Sequence, residues 1–183
     1  MIEQAGRFLT IDSPLGPNGL ILTGFEGSEE MSRLFQFRLR VVSQDERIDP
    51  AKLLGQNLSF HVNGADGERR SFNGIVKSLT GGGLWSRDYR EYEVEIVPWL
   101  WFLTRTTDLR IFQALSVPKI VEQIFSDLGF SDYDTSGISG QYGQREYCVQ
   151  YRESDFEFVS RLLEEEGIYY YFSHESGRHR MVL

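Results

Sequence analysis

One cysteine, three histidines, five prolines and no surplus of basic residues characterise this 183-residue chain, and each scarcity removes a class of function. Cys148 alone can form neither an intrachain disulfide nor a cysteine-built zinc cage. Nineteen lysines and arginines stand against 27 acids, a formal charge of −8. That balance repels phosphate backbones and anionic lipid, so nucleic acid is not an expected partner. The longest apolar run, Val97 to Leu103 in "VPWLWFL", falls far short of the roughly 20 residues that cross a bilayer. The opening "MIEQAGRFLTIDS" has acids and a glycine where a secretory signal needs a basic start and an apolar core. A chain that stays in the cytoplasm, unless some other device exports it, is expected. Neither the Gly-x-Ser-x-Gly elbow of serine hydrolases nor the Gly-Lys-Ser/Thr ending of a phosphate loop occurs, and "TGGGL" (80–84) reads as a turn between strands.

What is abundant is core material. Hydrophobic residues make up 40% of the chain and aromatics 14%, enough to bury about two-thirds of the unfolded surface at this length. Up to about residue 98 the pattern is of short strands with glycine-bearing turns. In "RLFQFRLRVV", Phe35, Phe37, Leu39 and Val41 alternate with Gln36, Arg38 and Arg40, as a half-buried strand requires. Leu58, Phe60 and Val62 repeat the alternation, and "NGADGE" then supplies turn chemistry before "RSFNGIVKSL", predicting a hairpin. Tyr92, Val94 and Ile96 oppose Glu91, Glu93 and Glu95. With only "DPAKLLG" as a short helix among them, these strands point to an antiparallel barrel or sandwich.

From about residue 111 the period changes. Val117, Ile120, Val121, Ile124, Phe125 and Leu128 share one helical face, with Ser116 as N-cap and Gly129 as the C-terminal stop. A second helix opens at "SDFE", where Ser154 and Glu157 form a capping box, and closes at Gly167. The strand "IYYYFS", the turn "HESGR" and the strand "HRMVL" then make a hairpin. A strand running to the last residue suggests a piece of a longer chain. The expected fold is α+β and β-rich, an antiparallel split β-barrel over residues 1–110 followed by a smaller α/β domain over 111–183.

The end of the second helix, "LLEEEGIYYYF", offers the sharpest chemistry. Glycoside hydrolysis or a calcium cage needs carboxylates that converge, whereas consecutive helical residues diverge. Glu164 and Glu165 read as solvated helix surface, with Arg161 four residues from both Glu157 and Glu165, or as a patch that meets a neighbour. Glu166 falls on the apolar side and is expected to pair with an Arg or a Tyr hydroxyl, or else to turn into solvent beside Gly167. Tyr169 and Tyr171 are candidates for core packing, for a subunit interface or for a sugar platform. His174 and His179 could face each other across the terminal hairpin but lack a clear third ligand for zinc. Cys148 reads as a packed thiol. Catalytic, metal and cofactor sites are therefore not expected.

Two long segments, "YEVEIVPWLWFLTRTTDLRIFQALSVPKIVEQIFSDLGF" and "REYCVQYRESDFEFVSRLLEEEGIYYYF", resemble the N-terminal region of the VgrG family, the spike proteins of bacterial type VI secretion. "SRLFQFRLRVVS", "LLGQNLSFHV" and "RSFNGIVKSL" extend the resemblance over most of the chain. The same region is similar to the hub of contractile phage baseplates. The resemblance implies a non-enzymatic hub of three copies docked on a hexameric tube protein and expelled from the cytoplasm by the machine itself, without a signal peptide. Effectors or adaptors would attach through C-terminal regions. It also implies that a second barrel, an oligonucleotide-fold domain and a β-helical needle are absent from this sequence. Within such an assembly Glu164, Glu165, Tyr169 and Tyr171 are the candidate subunit contacts. Alternatives of another class are a hydrolase using Glu166 with Asp155 or Glu157, and a carbohydrate-binding module using Tyr169 and Tyr171.

Overall fold

Alternating apolar residues drive the first half of the chain into strands, and the computed structural model, which describes residues 2–65 and 67–183, pairs them in one sheet. Strands β1 (Leu9–Asp12), β2 (Ile21–Ser28), β3 (Gln36–Ser43), β4 (Asn57–Asn63), β5 (Arg69–Ser86) and β6 (Tyr89–Val97) are arranged in the order β1-β4-β5-β6-β3-β2. Every neighbouring pair is antiparallel. The edge strands β1 and β2 approach each other, so the sheet curls into a split barrel. Phe37, Leu39 and Val41 point inward while Arg38 and Arg40 face solvent. Phe60 stacks on Phe72 with ring centroids 4.8 Å apart, and Phe37 meets Phe72 edge-on at 5.2 Å. The short helix expected at "DPAKLLG" is a 3-10 turn over Pro50–Lys52, capped by Asp49. Of the "NGADGE" turn, Asp66 lies outside the described residues.

The glycine run is not a turn. Strand β5 continues through Gly81, Gly82 and Gly83 to Ser86, and the chain reverses only at Arg87 and Asp88. Register shifts between Val76 and Ser78, Gly81 and Leu84, and Leu84 and Ser86 absorb the extra residues as bulges. Glycine tolerates such irregular strand geometry, and here cross-strand pairing with β6 overrides its preference for turns.

The second half builds around helices. Strand β7 (Thr107–Leu115) pairs antiparallel with β9 (Arg145–Ser154). Helices α1 (Val117–Asp127) and α2 (Asp155–Glu165) contribute Val117, Ile120, Val121, Ile124, Phe125, Phe158, Val159, Leu162 and Leu163 to a core shared with Trp99, Leu100, Leu103 and Phe112. Short strand β8 (Tyr133–Asp134) runs parallel to β11 (Arg178–Val182), which follows β10 (Tyr171–Glu175) in the terminal hairpin.

Both helices stop in the same way. Gly129 and Gly167 adopt φ values of 79° and 68°, and each helix closes with the paired hydrogen bonds of a Schellman motif. In α1, Phe130 N–H donates to Phe125 C=O and Gly129 N–H to Ser126 C=O; in α2, Ile168 donates to Leu163 and Gly167 to Glu164. At the N-termini the two differ. Ser154 Oγ accepts from Glu157 N–H at 3.2 Å and the Glu157 carboxylate accepts from Ser154 N–H at 2.9 Å, closing a capping box. Ser116 occupies the N-cap of α1 without a side-chain cap bond.

Two compact units result. One holds the chain up to Glu29, Phe35–Pro98 and His174–His179; the other holds Glu30–Leu34, Trp99–Ser173 and Arg180–Leu183. The division falls between Pro98 and Trp99 instead of at residue 110, because β7 pairs wholly with β9 and so belongs to the helical unit. The sequence offers no break there: "VPWLWFL" is continuous apolar text, and its Trp99, Leu100 and Leu103 enter the second core as a 3-10 turn.

Candidate docking surface

The acidic end of α2 is held from β9. Arg145 places Nη1 2.7 Å from Glu165 and Nη2 2.8 Å from Glu166. Arg161 reaches Glu165 at 3.2 Å and Glu153 at 2.7 Å. The Arg145 guanidinium holds the Glu165 carboxyl below the usual range, and Arg161 adds to the effect. The spacing of Arg161 to Glu165 is the helical pair read from the sequence, whereas Glu157 is committed to its cap and Arg161 turns to Glu153 instead. Glu166 is half-buried against its arginine. Glu164 is exposed and has no ion pair among the described residues.

The other acids of this helix serve separate structural tasks. Asp155 is buried at the start of α2, where its carboxylate accepts from Arg110 and, at 2.7 Å, from Gln150 Nε2. Arg110 Nε donates to Gln150 Oε1 at 3.0 Å, closing the triangle. Backbone and hydroxyl hydrogens of Ser154 hold the Glu157 carboxyl low. Asp155, Glu157 and Glu166 therefore answer to three different partners, Arg110, Ser154 and Arg145, and do not converge on one point.

The tyrosine run divides by side. Tyr170 is buried, its phenol pushed up to about 12 by burial. Tyr169 and Tyr171 are 61% and 48% exposed. Regular strand pairing begins only at Tyr171, so Ile168–Tyr170 precedes β10 and is not part of it.

The terminal histidines sit in a polar cluster of the barrel unit. His179 Nδ1 lies 2.7 Å from Asn73 Oδ1. Asn73 N–H donates to His174 Nδ1 at 3.1 Å, and His174 Nε2 faces Glu29 at 2.7 Å. The two rings lie side by side, 6.4 Å between centroids, each occupied by protein groups. His61 is likewise held, by Asp12 and Ser71 at 2.9 Å each.

A larger surface escaped the reading of the sequence. On the two-stranded sheet, Leu109 faces Tyr151, Ile111 faces Val149 and Gln113 faces Tyr147. These five apolar side chains are between 39% and 68% exposed. The opposite face carries Phe112 stacked on Phe158, buried Cys148 and the Arg110–Gln150–Asp155 triangle. The period-2 pattern groups Tyr147, Val149 and Tyr151 correctly, but it favours placing that apolar set inward; the sheet does the reverse. Cys148, read as a packed thiol, is buried.

Comparison with known proteins places these surfaces in context. The family model for the phage tail baseplate hub matches residues 28–183. The type VI secretion system spike proteins VgrG1c and VgrG1a of Pseudomonas aeruginosa are 48% and 45% identical over 183 residues; this chain spans 25% and 28% of their lengths. Among solved structures, the E. coli c3393 protein, described as a component of the type VI secretion system with structural similarity to the T4 tail proteins gp27 and gp5, is 29% identical. It superposes with a TM-score of 0.78 over 97% of this chain and 47% of its own. The 43 kDa tail protein of prophage MuSo2 from Shewanella oneidensis has the same fold at 14% identity, with a TM-score of 0.58 over 94% of this chain and 52% of its own.

Proposed function

Because the chain belongs to the phage tail baseplate hub family, we propose that it works as an assembly element of a type VI secretion spike. In this reading three copies of the natural-length protein form a hub that docks on the hexameric tube protein, so that spike and attached effectors are driven into target cells. The observation that carries it is identity of 45–48% to spike proteins running through both units of the chain, and not through one module alone. The protein waits in the cytoplasm and leaves through the machine. The related role in a contractile phage baseplate rests on the family model over residues 28–183 and on fold likeness to a prophage tail protein at 14% identity.

The chemistry of the helical unit supports a non-catalytic part. Acids offered for hydrolysis are bound to Arg110, Ser154 and Arg145, and each would have to abandon a structural bond to act. Subunit contact falls to Glu164, Tyr169 and Tyr171, which are exposed; tyrosine is enriched at such contacts because it buries a large rigid surface while keeping a polar tip. Glu165 contributes least, since Arg145 and Arg161 already match its charge. The test is native mass spectrometry of the natural-length protein. Tyr169→Asp with Tyr171→Asp is expected to convert trimer to monomer while leaving the unfolding of the 183-residue chain within about 0.5 kcal/mol. A trimer that survives both substitutions would remove these tyrosines from the interface.

A further inference from the structure

The outward face of β7 and β9 is built as an interior surface. Its three facing rows hold five large apolar residues and Gln113, with no charge among them. Antiparallel sheets that face water on one side carry polar residues there, and β3 does so with Arg38 and Arg40. From the stated exposures this ladder presents on the order of 500 Å², the upper end of the largest patch an ordinary monomer shows. The core of this chain packs on the other side of the sheet, through Phe112, Cys148 and Gln150.

We propose that this face is the seat of a further segment of the same polypeptide, of the kind that makes its relatives about four times as long as these 183 residues, and that apolar side chains of that segment cover Leu109, Ile111, Tyr147, Val149 and Tyr151. One quantity favours this occupant over a second copy. An area of about 500 Å² on one side is below the roughly 800 Å² per partner of a stable interface. A covalently attached segment escapes that limit, because its effective concentration is high and no freedom of a separate body is lost on docking. Among the described residues β7 and β9 pair with no third strand, which leaves backbone for the segment to join. The inference rests on the family membership and not on trimer formation, so it stands or falls separately from the hub reading.

The test uses the protein expressed from its own gene at natural length, with a benzophenone amino acid replacing Ile111 or, separately, Tyr147. After irradiation, the expected product keeps the mass of one chain on a denaturing gel, and peptide mapping ties position 111 or 147 to sequence outside these 183 residues. In a Cys148→Ala background, Ile111→Cys is expected to react with a maleimide at least about tenfold more slowly in the natural-length protein than in the 183-residue chain. A band of doubled mass, an adduct with another protein, or equal maleimide rates with no cross-link would each overturn the proposal. Native mass measured on the same sample reads trimer formation independently.

Discussion

The imidazole Nδ1 of His179 and the amide Oδ1 of Asn73 lie 2.7 Å apart in the barrel unit, 106 residues apart in sequence. Asn73 Nδ2 donates to Asn57 Oδ1, to Leu58 C=O and to Ser59 Oγ, so Oδ1 is the acceptor and the His179 Nδ1–H is the donor. Burial, helped by neighbouring His174, pushes the His179 pKa down to about 3. The folded state therefore holds His179 neutral while the unfolded state binds a proton below about 6.5. Stability from this site is complete above pH 6.5 and is lost as pH falls from there toward 3, by at most about 1.4 kcal/mol per pH unit. Urea denaturation of the 183-residue chain at pH 7, 6, 5 and 4 should show that decline, and His179→Asn should flatten it. An unchanged slope in the variant would assign the decline to other groups.

The caps of the two helices give a matched pair. Ser154→Ala removes a hydroxyl that accepts from Glu157 N–H and should cost about 1 kcal/mol. Ser116→Ala removes a hydroxyl with no cap bond and should cost less than about 0.5 kcal/mol. Urea midpoints of both variants check the difference; equal losses would mean that Ser116 caps α1 in solution.

Arg145→Gln leaves Glu165 and Glu166 as adjacent half-exposed carboxylates without the guanidinium that separates them. A loss of about 1–2 kcal/mol is expected, the partial exposure of all three groups keeping it below the cost of breaking a buried pair. Adding Glu165→Gln and Glu166→Gln should recover part of it, and a coupling energy near zero in this cycle would show the contacts to be incidental.

Asp155 tests the hydrolase reading against the structural one. It is buried against Arg110 and Gln150, so Asp155→Ala should destabilise the chain by about 2–3 kcal/mol through loss of two charge-assisted hydrogen bonds, Arg110 keeping Asp108 and Gln150 keeping the Glu153 carbonyl. A variant as stable as the parent, with a glycan-cleaving activity abolished, would restore the catalytic assignment.

These contrasts show where sequence carried information and where it stopped. Faces of β3 and β6 were legible because Phe37, Leu39, Val41, Val94 and Ile96 are buried opposite charged neighbours, and charge tells inside from outside. In β9 the alternation sets Tyr147, Val149 and Tyr151 against Cys148 and Gln150, and charges fall on both sets, Arg145 and Glu153 on one and Glu146 and Arg152 on the other, so they indicate no direction; tertiary partners, Phe158 and Asp155 of α2, decided it. Glycine at 81–83 signalled a turn by its own preferences, yet cross-strand pairing kept it in β5. Glu166 was legible as an acid in need of a partner. That the partner would be Arg145, 21 residues earlier, was not, because helix periodicity does not reach across a turn to another strand.

The central claim, that these two units serve by docking within a spike, is tested most directly by mixing the natural-length protein with the hexameric tube protein proposed as its partner and measuring the mass of the complex by native mass spectrometry. The account predicts three copies bound to one hexamer. A monomer that leaves the hexamer unoccupied at micromolar concentrations of both would contradict it.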